Sequence, residues 1–360
     1  MCKKSFYLPS WNLHSPELWS IICIIVAPNS LERMNKRLLT FFAILALGST
    51  QVLQAQDAHF SQFYANPMYL NPAFAGVAKC PRLNLNYRNQ YPVLNVYQTY
   101  SASYDQYVEP LNGGVGILLM RDEAGDGAFS TTDASLVYSY HLKASRKFSI
   151  LAGFQGTYRQ IAIDWNSFTF PDEIDPYFGF VRETSEPNPG SNTVSAFDLT
   201  AGLIGYTEKF YIGIVASHLT QPDVSFFVQD RLPMKFTAHM GFTIPLGRKR
   251  LVTDLQNYLI PNIVYQVQGP YDQITTSLAF SRGDFKGGLG FRSSTTNPDA
   301  LVILVGYTPL EGNWGFGYSY DYTISSIANN LGGAHELTLS YQFPCRTPRK
   351  RTKAISCPKF

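Results

Sequence analysis

The chain has 360 residues, a formal net charge of +3, 45% hydrophobic and 14% aromatic residues, and only 15% charged residues. Ordinary soluble domains carry about a quarter charged residues, so the composition points away from that class. After residue 55 no stretch approaches the ~20 apolar residues of a membrane-spanning helix, which excludes a helical membrane protein.

Taken in chain order, residues 1–33 lack the organisation of the segment after them and read as an upstream extension, with Met34 as the true start. An unusually long leader is the other reading. Residues 34–55 have the layout of a secretory signal peptide: Lys36 and Arg37, an apolar run at 38–47 broken only by Thr40, then a small and polar stretch ending at Ala55. That apolar run is too short to span a bilayer stably.

Residues 56–81 form a lead-in that contains Asn66-Pro67 and Asn71-Pro72. Proline fixes φ and disfavours helix at the residue before it, and Asn bonds its local backbone, so each pair marks a turn. Two placements are open to this apolar, kinked segment: a partial plug in a barrel mouth, or a wrap around the periplasmic rim.

From residue 82 the pattern has a period of two. In the run Trp314-Gly315-Phe316-Gly317-Tyr318-Ser319-Tyr320-Asp321-Tyr322, every even position is aromatic and every odd one is Gly, Ser or Asp. Side chains alternate faces along a strand, so one face is fully aromatic and the other small and polar. The same reading predicts strands over 82–88, 96–107, 113–121, 131–141, 147–160, 195–206, 210–219, 235–245, 260–268, 273–282, 285–293, 300–307, 314–322 and 335–343.

Many of these have the 9–11 residues that a tilted membrane strand needs. The longest connections, 161–194, 220–234 and 323–334, follow strands 5, 7 and 13, all odd, as long outer loops should. The expected fold of 82–343 is an all-β, transmembrane, antiparallel up-and-down barrel of about 14 strands in the outer membrane of a Gram-negative bacterium. A soluble β-sandwich would show alternation but would not need the aromatic excess. The connection 247–259 is long yet even-numbered and fits the parity least well.

Residues 344–360 form a basic tail with Arg346, Arg349, Lys350, Arg351, Lys353 and Lys359, and no acidic residue. An exported protein rarely meets nucleic acid, so anionic lipid or an acidic protein is the expected partner. Cys345 and Cys357 bracket this tail and can form a disulfide in an oxidising periplasm. Two free thiols is the alternative. With no His in the tail, no metal site is expected there.

No G-x-S-x-G, H-E-x-x-H or phosphate-cradling glycine loop is present, and no catalytic, metal or cofactor residue is assigned. His218 and His239 read as structural or lumen-facing, because no acid is spaced to pair with them. Asp122, Asp126, Gly127 and Asp133 fit four positions of a calcium loop, but Ala124 stands at the third and Asp at the twelfth, so a plain hairpin is expected. The loop 161–194 holds Trp165, Phe168, Phe170, Tyr177, Phe178 and Phe180 among acidic residues. Rings supply contact area at low entropy cost, so Trp165, Phe168, Phe170, Tyr177 and Phe178 are candidate partner contacts. Packing of the loop on itself is the other reading. Arg349, Lys350 and Arg351 are the tail's candidate contacts.

The stretch from His59 to Gly76, with its paired Asn-Pro steps, resembles the opening of the PorP/SprF family of outer-membrane proteins of the type IX secretion and gliding apparatus. Arg121-Asp122-Glu123-Ala124-Gly125, Ser217-His218-Leu219-Thr220-Gln221-Pro222, the Gly317–Asp321 run followed by Gly332-Gly333-Ala334-His335-Glu336-Leu337, and the late Cys345 and Cys357-Pro358 resemble further family segments in the same order. The resemblance implies a non-enzymatic barrel without cofactors. It would work with periplasmic and outer-membrane components of the secretion system, and help export or anchor a large surface adhesin. A transporter or channel for a small or hydrophobic solute is the alternative function.

Overall fold

The structure, a computed structural model, describes residues 57–345 apart from 95, 176, 182, 188–189, 227–230, 248–256, 296, 310–311 and 326–331. The upstream extension, the signal peptide, and the tail beyond Cys345 lie outside the described residues.

Fourteen strands form one closed antiparallel ring. They are β1 (Arg82–Gln90), β2 (Tyr97–Val108), β3 (Gly113–Ala124), β4 (Phe129–Lys143), β5 (Ser149–Ile163), β6 (Thr193–Tyr206) and β7 (Phe210–Ser217), then β8 (Lys235–Phe242), β9 (Asn257–Gln268), β10 (Tyr271–Arg282), β11 (Phe285–Ser293), β12 (Pro298–Tyr307), β13 (Trp314–Thr323) and β14 (Ala334–Gln342). Each strand pairs with its neighbours in sequence, and β1 closes on β14 with Arg82 opposite Gln342 and Gln90 opposite Ala334. Strand β8 is interrupted at Thr243 and resumes as Ile244–Leu246, still paired to β9. Closure leaves no open edge, so backbone groups at membrane depth are bonded within the sheet.

The period-two pattern sets which face is wet. On β13, Trp314, Phe316, Tyr318 and Tyr322 point outward, while Ser319 and Asp321 are fully buried inside. On β4, Leu136, Tyr138 and Tyr140 are outside, and Asp133, Ser135 and Ser139 are inside. Large apolar side chains are therefore exposed and polar ones buried around the ring, the reverse of a soluble core. Cross-strand ring pairs thicken the outer face at the strand ends, with Phe210–Phe242 at 4.8 Å, Phe285–Tyr307 at 5.1 Å and Trp314–Tyr341 at 4.4 Å. Such girdles sit at head-group level in membrane barrels.

The two ends of the barrel differ. The connections 164–192, 218–234 and 324–333 emerge at one end, here the loop end. The short turns 109–112, 207–209 and 283–284 lie at the other, the turn end. The even-numbered connection that fitted the parity least well is shorter than expected, because β9 starts at Asn257, three residues before the predicted 260.

Candidate functional site

The lumen is occupied by residues 57–80. Each Asn-Pro step starts a helical turn: Pro67 opens Pro67–Leu70 and Pro72 opens Pro72–Phe74. Proline has no N–H to lose at that first position, and its fixed φ suits the turn. Asn71 remains extended, and its Oδ1 accepts from the Ala73 amide at 2.9 Å.

The segment descends from the loop end to the turn end. Near the loop end, the Ser61 and Gln62 amides donate to Glu336 of β14 at 2.7 and 3.0 Å. Arg88 of β1 bridges Asp321 at 2.8 Å and Glu336 at 3.2 Å, and Arg292 of β11 meets Asp321 at 2.8 Å. The Ser61 hydroxyl donates to Asp321 at 2.6 Å and accepts from both guanidinium groups at 3.0 Å. Buried charges persist when paired and hydrogen-bonded, and here the lead-in adds the Ser61 and Gln62 donors to the set.

A second charged cluster holds the start of the described chain. Asp57 lies 2.7 Å from His218 Nε2 and 3.5 Å from both Arg159 and Lys235. Asp198 lies 2.7 Å from His218 Nδ1, and Arg159 clamps Asp133 through two bonds at 2.8 and 2.7 Å. His218, one residue beyond β7, has φ +57°, which carries its ring between the two acids. Burial would push its pKa down, but Asp57 and Asp198 hold it above the ordinary value. Burial would raise the Asp57 carboxyl, yet Lys235, His218 and Arg159 keep it well below its ordinary value. With a carboxylate on each ring nitrogen, His218 has no free nitrogen to act as a base. A polar void of about 50 Å³ adjoins this cluster, lined in part by Asp57, Arg159, His218 and Lys235.

Toward the turn end the contacts become apolar. Phe63, Leu70, Ala73 and Phe74 pack with Leu151, Ile204, Tyr206, Tyr211 and Val264 of the wall. Met68 packs with Ala75 and Val137. Where the lead-in backbone comes closest, the wall is glycine: a Cβ on Gly153 would fall on the Ala73 backbone, and one on Gly114 on that of Ala75. At the rim the Gly76 amide donates to Asp105 at 2.8 Å, and Lys79 sits 3.5 Å over the Tyr107 ring.

Above the barrel, the loop after β5 divides its aromatic residues. Trp165, Phe168 and Phe170 cluster with one another and with Phe129 at the start of β4, at centroid distances of 5.0–6.4 Å. Beyond them a small hairpin pairs Ile174 with Phe180 and Asp175 with Gly179. Its tip stands clear, with Tyr177 93%, Phe178 79% and Phe180 71% exposed.

The sequence matches, over residues 52–341, the family described as type IX secretion system membrane protein PorP/SprF. The chain belongs to the PorP/SprF family. Family and fold together make it an outer-membrane β-barrel of a secretion system, associated with that system's components. No curated protein matches the sequence. Among solved structures, it is similar to the Acinetobacter baumannii outer membrane protein Omp33 (8% identity, 74% of this chain and 100% of that one, TM-score 0.42). It is also similar to the CymD monoaromatic hydrocarbon channel (12%, 80% and 95%, 0.44) and a Pseudomonas aeruginosa FadL homologue (12%, 76% and 93%, 0.39).

Several sequence expectations need revision. Cys345 is joined to Cys80, not to Cys357, with Cα atoms 4.8 Å apart. Antiparallel pairing of β1 with β14 brings the residues just before one strand and just after the other to the same point on the rim. Cys357, Arg349, Lys350 and Arg351 lie outside the described residues. His218 has two acidic partners where none was expected, since Asp57 and Asp198 are 161 and 20 residues away. His239 does face the lumen, 3.0 Å from the Asn71 amide nitrogen. The calcium-like set is dispersed: Asp122 accepts from Thr99 at 2.6 Å, and Asp133 is taken by Arg159.

Proposed function

We propose that this PorP/SprF-family chain is a non-enzymatic scaffold of the type IX secretion and gliding machinery, its lumen plugged by its own lead-in. The barrel fixes position in the outer membrane. The loop end faces outward and meets a large secreted or surface-anchored client, in keeping with the long outer loops of membrane barrels. The turn end faces the periplasm, where the basic tail containing Arg349, Lys350 and Arg351 docks on secretion components. One observation carries the reading: the lead-in residues Met68, Ala73 and Phe74 are almost fully buried within the ring, and both of its ends are bonded to the wall.

A diffusion channel would need this lumen emptied, which opposes the transporter reading. Deleting the gene tests the scaffold. The expected result is loss of secretion or surface display of one specific large protein while other exported proteins remain. Unchanged secretion and display would overturn it.

A further inference from the structure

The outer loop after β5 is built like a preformed binding tip. Its carboxylates shape the loop: Asp172 accepts from the Ser185 amide at 2.6 Å and hydroxyl at 2.9 Å, and Glu173 from the Phe170 amide at 3.0 Å. Asp175 accepts from the Tyr177 and Phe178 amides at 2.9 and 3.2 Å. The Trp165, Phe168 and Phe170 cluster anchors the base on Phe129. Tyr177 and Phe178 are thus held by the loop's own hydrogen bonds before anything binds them, which lowers the entropy lost on association. Tyr177, Phe178, Phe180 and Val181 are left exposed together, and exposed aromatic clusters of this kind are what interface hot spots are made of.

Charge narrows the partner. Residues 164–192 contain Asp164, Asp172, Glu173, Asp175, Glu183 and Glu186 against Arg182 alone. Hydrogen bonds, first among them that from the Ser185 amide, hold the Asp172 carboxyl below its ordinary value, so it is charged at neutral pH. A loop that carries this excess of acidic residues beside its apolar rings repels anionic lipid head groups and attracts a cationic chain.

We infer that the 174–180 hairpin is the docking tip for a Lys/Arg-rich polypeptide segment of the surface client, with Tyr177, Phe178 and Phe180 entering apolar pockets between its basic residues. This deepens the scaffold reading and rests on it.

A photo-crosslinking amino acid at position 178, in intact cells making the full chain, tests this. The expected product is a covalent adduct with a protein, mapped by mass spectrometry to a basic segment. Charge reversal by Glu183→Lys with Glu186→Lys spares the hydrogen bonds of Asp172, Glu173 and Asp175, and should cut the adduct roughly tenfold. An adduct with lipopolysaccharide, no adduct, or a yield indifferent to charge reversal overturns the docking tip. Should that happen while gene deletion still abolishes client display, the scaffold stands and only its tip is misassigned.

Discussion

The two halves of the lumen hold the same lead-in by different physics. At the loop end the grip is ionic: Asp57 among His218, Arg159 and Lys235, and Ser61 and Gln62 on Glu336 beside Arg88 and Arg292. At the turn end the grip is packing of Phe74, Leu70 and Ala73 on Leu151, Ile204 and Tyr211, with the chain then locked through Cys80 to Cys345. Charge pairs are few, directional and sensitive to protonation or to a competing charge. Apolar packing and a covalent bond are not. The contrast teaches where the plug can yield: at its loop-end start, with the turn-end part staying seated.

The largest effect should come from attacking the packed half. Phe74→Ala removes a fully buried ring and should lower stability by about 3–5 kcal/mol. Thermal unfolding in detergent checks this, and an unchanged midpoint would mean that the lead-in is not held by packing. Next comes Cys80→Ser, which frees the rim and should cost about 2–4 kcal/mol, lost equally when the wild type is reduced. Denaturant unfolding with and without reductant measures it, and a midpoint indifferent to reductant would contradict the lock. In the ionic half, Asp57→Asn leaves three cationic partners short of a carboxylate and should cost about 1–3 kcal/mol. Protease should then cut near residue 60 while residues 70–80 stay protected. Cleavage throughout the lead-in would erase the proposed difference between the halves.

The smallest effect is with pH. His218 has a raised pKa, so its contribution is complete below about 6.5 and fades as pH rises through the elevated folded value. Asp57 has a depressed pKa, so its contribution is complete above about 3.9 and fades as pH falls through the lower folded value. The hold on Asp57 is therefore firmest between those limits. Amide exchange at Asp57, whose N–H donates to Gln268 beside the His218 cluster, corrected for intrinsic rates, should be faster at pH 9 than at pH 6, and His218→Gln should abolish that difference. A pH effect of equal size at Ala75 and Gly76 would contradict its confinement to one half.

Period-two alternation made the barrel legible in the sequence, because lipid outside and polar lumen inside impose opposite chemistry on successive residues. All fourteen strands were found this way, and the parity of long loops matched their placement. The break in β8 at Thr243 was invisible, since an irregularity of one residue leaves the flanking alternation readable. The lead-in's path was not legible either. Its apolar residues fit a plug or a rim equally well, and the choice rests on glycines such as Gly114 and Gly153, which look like ordinary strand residues until the Ala75 and Ala73 backbones are laid against them. The His218 cluster was missed for a similar reason: its acids come from the lead-in and from a neighbouring strand, so no local spacing announces it. The sequence left Cys345 either paired with Cys357 across the tail or free, because nothing local shows that ring closure sets it beside Cys80.

Conductance of the intact protein in planar lipid bilayers tests the central claim most directly. A barrel filled by residues 57–80 should insert without steady current, and Asp57→Asn should at most add brief openings. A stable, ohmic current from the unaltered protein would mean that the lumen is a path and not a filled core, and would contradict the account.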